Sequence, residues 1–328
     1  MCRPPKDRFL RPYRLLSVSP SDIVHCGALD FDALRNRGYG WVLGDDWDAL
    51  GHSCLKDYRY RSVRDVVAFG SRWQETEEYA LALTDLEKGL PYRHCWTREE
   101  LDQRYEALDD VVEAIRREGY LTQRELFRRR TRAAQLGRGD EISVSIGRHG
   151  DILFHDGAHR LAIAKLLGVH LLPVQVAVRH SSWMEFRLQI ERYAIAHGGR
   201  VPQPLLHPDL DAIPAAKGYE PRFRALLEAL PAACTVLDLA PGWGYFCQRL
   251  ETEGFSCTAL ESSPDAAGFL ATLRRAGNRT FAILRKDGLS AVPEDQRAFD
   301  VGLLMSDGLG AGARPSVAEV LDTPRCHP

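Results

Sequence analysis

The sequence lacks any apolar run long enough to cross a bilayer. Its most apolar stretch, Leu161 to Val178, is interrupted by Lys165, Gly168, His170, Pro173 and Gln175, whereas a spanning helix needs about 20 consecutive apolar residues. The opening MCRPPKDRF has no apolar core of a secretory signal, and the eight cysteines include no C-x-x-C pair. Reduced thiols in a soluble, cytoplasmic protein with no membrane partner are therefore expected. Charge of one sign is also not in excess. With 43 Lys and Arg against 45 Asp and Glu, the formal net charge is -2, so no overall field draws the chain to nucleic acid. His25-Cys26, His52 with Cys54, and His94-Cys95 do not form the two close ligand pairs of a structural zinc site, and no metal is expected in a protein site of that kind.

What is present suffices for two cores: 328 residues with 45% hydrophobic content exceed the usual size of one domain. Apolar spacing predicts helices around 62–68 and 76–88. A stronger helix is predicted over Arg98–Glu118, because Thr97 can cap it, acidic residues crowd its start, and Gly119 follows basic Arg116 and Arg117. The chain then reads as strand 141–146, turn 147–151, strand 152–155, helix 159–167 and strand 172–178, followed by a helix over 183–197. The segment 198–216 carries two glycines and four prolines and is expected to be a linker. From Tyr219 onward, helices alternate with strands at 235–239, 256–261, 280–284 and 300–305, a pattern that predicts a parallel, doubly wound sheet. The expected organisation is thus an α+β domain over 1–197 with a helical N-terminal extension, a linker, and an α/β domain over 217–328.

The segment Val236-Leu-Asp-Leu-Ala-Pro-Gly-Trp-Gly-Tyr245 resembles the first motif of class I S-adenosylmethionine-dependent methyltransferases. In that family a strand ends in an acid, and a glycine turn brings backbone amides to the methionine part of the cofactor. The resemblance implies that Asp238, Gly242 and Gly244 bind cofactor, with glycine allowing an approach that a side chain would block. Glu261 ends the next strand about 20 residues later, where an acid accepts hydrogen bonds from ribose hydroxyls. Asp287 would lie near the adenine. Ala240 replaces the usual first glycine. A dinucleotide-binding or nucleotide-free Rossmann domain is the alternative, since glycine turns also serve helix packing. In the family the fourth strand is followed by further strands, whereas here FDVGLLM passes into a Gly/Ala/Pro-rich tail. The expected sheet is therefore partial, and a second copy or another partner would cover its edge.

The segment Gly150-Asp-Ile-Leu-Phe-His-Asp-Gly-Ala-His-Arg-Leu-Ala-Ile-Ala-Lys-Leu-Leu-Gly168, with Leu171-Leu-Pro-Val-Gln-Val after it, resembles the ParB/sulfiredoxin superfamily. Its D-G-x-H-R form is closer to the free-serine kinases of that superfamily than to its chromosome-partition proteins. The resemblance extends from Arg98 to Val176, and only its later part carries a specific motif. It implies a phosphate or nucleotide held by the turn Gly157, Ala158, His159 and Arg160, with a fork from Arg160. Asp156 would orient or deprotonate a hydroxyl, or hold magnesium. The alternative is that Asp156 only caps the helix and Arg160 makes a surface ion pair. A phosphotransferase needs a second acid, for which Asp46, Asp48 and Glu77 are candidates. Arg124, Arg128, Arg129, Arg130 and Arg132 could contact a nucleic-acid backbone, but a solvated helix face is the commoner use and no helix-turn-helix follows, so nucleic acid is disfavoured. Trp41, Trp47, Trp73 and Trp96 stand beside acidic groups and could line a polyol pocket, core packing being the commoner use.

These readings combine into a small-molecule-modifying enzyme in which an ATP- or ADP-dependent, magnesium-assisted phosphotransferase module is joined to an S-adenosylmethionine-binding module. Two alternatives stand beside it. One is a methyltransferase whose N-terminal domain only recognises substrate, and the other is a non-enzymatic nucleotide-sensing or DNA-associated protein.

Overall fold

The computed structural model describes residues 14–27, 29, 40–49, 51, 53–129, 141–232, 234–285 and 299–304. The chain divides into two compact units, residues 1–148 with 152–184 and residues 149–151 with 185–328.

The first unit is a mixed α/β structure. Its strands are β1 (Leu16–Val18), β2 (Trp41–Leu43), β3 (Ile142–Ile146), β4 (Ile152–Asp156) and β5 (Leu172–His180). β3 lies between antiparallel β4 and parallel β5, and all five of its residues are buried. β5 is long enough to carry two short partners: β1 runs antiparallel along its first half and β2 parallel along its last residues. The helices are α1 (Tyr58–Phe69), α2 (Glu77–Glu87), α3 (Arg98–Glu118), α4 (Gln123–Arg128) and α5 (Ala158–Leu166). A further helix, α6 (Ser181–Ala196), follows β5.

α3 shows why these elements form where they do. Thr97 accepts a hydrogen bond from the Glu100 amide at 3.2 Å, and Glu100 accepts one from the Thr97 amide, so two orphan donors of the first turn are satisfied. Leu101, Tyr105, Leu108, Val112 and Ile115 recur at helical spacing and are all buried. They share a core with Val63, Trp73, Tyr79 and Ile163 from α1, α2 and α5 and their approaches.

The second unit contains a parallel sheet of β6 (Thr235–Asp238), β7 (Ser256–Leu260), β8 (Ala282–Leu284) and β9 (Val301–Leu303), in the order β8-β7-β6-β9. Helices α7 (Tyr219–Ala229), α8 (Tyr245–Thr252) and α9 (Pro264–Ala276) alternate with the strands. β7 and β8 extend from one side of β6 and β9 from the other, so the direction of winding changes at β6. Tyr219, Phe223, Phe246, Leu250 and Leu270 fill the core against Val236 and Val301.

The segment 198–216 differs from a linker. Val201, Gln203, Leu205, Asp209, Leu210 and Ile213 are buried, and Val201 forms a backbone bridge with Ala215. Arg187, 1% exposed, pairs with Glu191 at 2.9 Å and donates to the Asp209 carbonyl. A buried guanidinium with no carboxylate would be costly, so this irregular, proline-containing coil is folded as part of the second unit. The division between units falls at Met184 and Glu185.

Candidate functional site

β6 delivers Asp238 to the carboxyl end of the parallel sheet, where it is fully buried. Its Oδ1 accepts from the Ala240 amide at 3.1 Å, and the Cys247 thiol donates to Oδ2 at 3.4 Å. Asp238 thereby ties the turn to α8. Gly242 and Gly244 both adopt left-handed backbone, with φ of 55° and 83°, which glycine takes at no steric cost. A Cβ on Gly244 would lie 2.4 Å from Leu270 Cδ1. The close approach at Gly244 is therefore made by α9, whereas the sequence pattern assigned it to a ligand. Gly242 is half-buried.

Glu261 follows β7, two residues beyond Ala259, the partner of Asp238 across the parallel pair. It is half-buried, and its Oε1 accepts from the Ser263 amide at 2.9 Å. The two acids thus emerge side by side at the same end of neighbouring strands, as their spacing predicts. Asp287 lies outside the described residues, as does the tail 305–328.

Sequence reasoning missed Gln203. Its Oε1 accepts from the amides of Trp243 and Tyr245 at 3.0 and 3.1 Å, so it occupies two donors at the start of α8. Those contacts fix which end of the side-chain amide faces the turn. Nε2 is buried and has no hydrogen-bond partner among the described residues. Trp243 itself lies 5.1 Å from Tyr193 and 4.7 Å from Phe269, ring to ring. No sequence signal distinguishes one glutamine within an irregular coil as a helix cap.

In the first unit, β4 ends at Asp156, whose Oδ1 accepts from the adjacent Gly157 amide at 2.8 Å. Gly157 has φ 94° and opens α5. A Cβ there would come within 3.2 Å of the Ile142 backbone, so a side chain would crowd β3 as well as strain the turn. Ala158 lines a cavity with Cys26, Cys54, Asp57, Phe154 and Lys165, and the two thiols are 3.5 Å apart.

His159 points inward. It is 8% exposed, and its Nε2 donates to both carboxylate oxygens of fully buried Glu78 at 2.8 and 3.0 Å. Tyr92 donates to the same carboxylate at 2.5 Å. Burial opposes the charge of Glu78, but His159, Tyr92 and Arg93 outweigh it and hold the carboxyl below its ordinary range. Arg160 is directed to buried Glu141 at 3.5 Å and to the Tyr120 hydroxyl at 3.5 Å. Burial pushes the Tyr120 phenol up to about 12.

The second-acid candidates are engaged elsewhere. Asp46 and Asp48 pair with Arg148 at 2.7 and 2.6 Å, and Glu77 pairs with Arg61. The carboxylate that meets the turn is the neighbouring Glu78. Glu78 lies with Ala82, four residues on, on the buried face of α2, and no sequence signal separates it from Glu77.

Arg124, Arg128 and Arg129 are exposed, with Arg129 paired to Glu118; Arg130 and Arg132 lie outside the described residues. Trp73 is buried in the core and stacks on Tyr105, Trp41 and Trp47 are half-buried, and Trp96 is 63% exposed. Among the described residues no group of three or more His, Cys, Asp or Glu could hold a metal ion, and no helix is long and apolar enough to cross a membrane. No protein-family model matches the chain, and no curated protein matches it in sequence.

Proposed function

We propose that the chain is a small-molecule-modifying transferase with two ligand sites, an S-adenosylmethionine site in the second unit and a nucleotide-phosphate site at the Asp156–Arg160 turn of the first. The observation that carries the proposal is the position of Glu261 beside the left-handed Gly242 turn, at the carboxyl end of a parallel sheet whose winding reverses at β6. Open parallel sheets bind nucleosides in that crevice. The residues fit the cofactor: Glu261 can accept from ribose hydroxyls, and the orphan Nε2 of Gln203 is a donor for an acceptor at the methionine end. Asp238 orders the turn instead of meeting the ligand. When bound, the cofactor supplies an electrophilic methyl group.

For the first unit, support comes from the backbone amides at the start of the nine-residue helix α5, which attract anions. Asp156 stands beside them for magnesium or a hydroxyl. The inward directions of His159 and Arg160 favour a second reading, in which this unit only recognises substrate and the methyltransferase-like unit performs the chemistry.

Calorimetric titration with S-adenosylhomocysteine, and separately with ATP or ADP plus magnesium, tests both. The proposal expects S-adenosylhomocysteine binding weakened at least about tenfold by Glu261→Ala, the loss of charge-assisted hydrogen bonds, and nucleotide binding lost only in Arg160→Ala. Nucleotide-independent binding of S-adenosylhomocysteine alone supports the second reading. Absence of both ligands from the wild-type chain refutes the proposal.

A further inference from the structure

Among the aromatic residues packed beneath α2 and α3, the polar tips are systematically satisfied, with one exception. Trp73 Nε1 donates to Asp109 at 2.7 Å, Tyr79 donates to Asp102 at 2.7 Å, and Tyr92 donates to Glu78. Tyr105 is 1% exposed, and its ring is fixed by Trp73 at 4.9 Å and Tyr79 at 5.5 Å. Its hydroxyl is buried without a hydrogen-bond partner among the described residues. The preceding residue, Arg104, likewise has a buried Nε with no partner among them. Two adjacent buried donors without acceptors are uncommon in folded proteins and ask for an explanation.

The charges nearby point the same way. Burial disfavours the cation of Arg104, and the like charge of Arg93 adds to that. Arg93 also interacts with Tyr92, Arg59 and Glu78. The guanidinium groups of Arg59, Arg93 and Arg104 therefore share this region with the carboxylates of Asp57 and Glu78, and Asp57 is already held by Arg59 at 2.5 Å. Among the described residues neither Arg93 nor Arg104 is in an ion pair, because Glu78 is paired with His159. Arg93 and His94 both take left-handed backbone, with φ of 45° and 69°, in a turn closed by paired Tyr92 and Cys95 backbone bonds. A two-residue hairpin turn requires positive φ at both central residues, so this turn accounts for their backbone and holds Arg93 next to Tyr92.

We infer that Arg104 and Tyr105, with Arg93 beside them, form a binding site for an oxyanion, the carboxylate or phosphate of a small acceptor molecule. A water would satisfy the two donors but not the charge; an oxyanion does both. The inference deepens the reading of the first unit as a small-molecule module. It places the acceptor's anionic group close to the Glu78–His159 pair and to the start of α5.

The test uses the full chain, titrated with inorganic phosphate and separately with acetate at constant ionic strength. Wild-type protein is expected to bind at least one of them saturably, and the anion that binds identifies the source. Tyr105→Phe keeps the ring packing and should weaken binding about three- to tenfold, the loss of one hydrogen bond, without lowering the ligand-free melting temperature. Arg104→Met should weaken it at least about tenfold, as expected for a charged partner. Arg72→Met, whose side chain is 79% exposed, should change nothing. Binding of neither anion, or wild-type affinity in both Tyr105→Phe and Arg104→Met, overturns the inference and leaves these donors to trapped water. ATP binding lost in Arg160→Ala, with oxyanion binding indifferent to Arg104→Met, overturns the inference while keeping the nucleotide site. The opposite pattern keeps the inference and removes that site.

Discussion

Gly244 separates two explanations of a glycine turn, packing and ligand approach, and a double-mutant cycle decides between them. An alanine at this position would place Cβ 2.4 Å from Leu270 Cδ1, far inside contact distance. Overpacking of this kind costs about 1–3 kcal/mol, and the left-handed backbone adds about 1–2 kcal/mol for any L-residue. Leu270 is fully buried, so Leu270→Ala alone should cost about 2–5 kcal/mol in lost burial and cavity. In Gly244→Ala/Leu270→Ala the new methyl enters the space that the leucine vacated, the clash disappears, and only the backbone strain and the remaining cavity persist. A favourable coupling of about 1–3 kcal/mol is therefore expected. Urea unfolding followed by tryptophan fluorescence measures it, with Trp243 in the affected unit reporting through its contacts with Tyr193 and Phe269. Additivity within about 0.5 kcal/mol would show that Leu270 is not what requires glycine there.

Three further outcomes are expected. Gly157→Ala should cost about 2–4 kcal/mol from strain and overpacking, and Ile142→Val should not rescue it, because the clash includes the Ile142 Cα at 3.2 Å; rescue in urea unfolding would contradict this. Arg187→Met should cost about 3–5 kcal/mol by leaving Glu191 and Asp209 as buried charges without their cation, and a loss below about 1 kcal/mol would mean the pair behaves as if solvated. Burial holds His155 at about 4, with Asp156 opposing. The free value being higher, the unfolded chain takes up the proton first, so stability is complete above about pH 6.5 and falls as pH drops towards 4, by on the order of 3 kcal/mol. His155→Asn should flatten that part of the stability profile between pH 4 and 7, and an unchanged slope would assign it to other groups.

The legible parts of the sequence were those in which several local signals agree. Over 98–118, cap, acidic first turn, apolar spacing and terminal glycine all specify one helix. The alternation of strand and helix after Tyr219 is equally local, and it sets Asp238 and Glu261 on neighbouring strands. β1 and β2 escaped notice because three residues are too few to display a period, and both depend on β5 for their pairing. Polar partners across long separations were also hidden. Glu78 and His159 are 81 positions apart, and nothing local ranks Glu78 above Glu77, which faces solvent and Arg61. The coil 198–216 has the composition of a linker, yet it is fixed by distant groups, Arg187 gripping Asp209 and Gln203 capping α8. Composition registers prolines but not the buried partners that a coil will meet.

Hydrogen–deuterium exchange with and without S-adenosylhomocysteine tests for a nucleoside at the carboxyl ends of β6 and β7. Exchange is expected to slow in peptides covering 239–247, the turn and the start of α8, and 259–265, around Glu261, because a nucleoside seated at the ends of β6 and β7 shields those amides. Unchanged exchange in both segments at saturating ligand, or protection confined to the first unit, would contradict it.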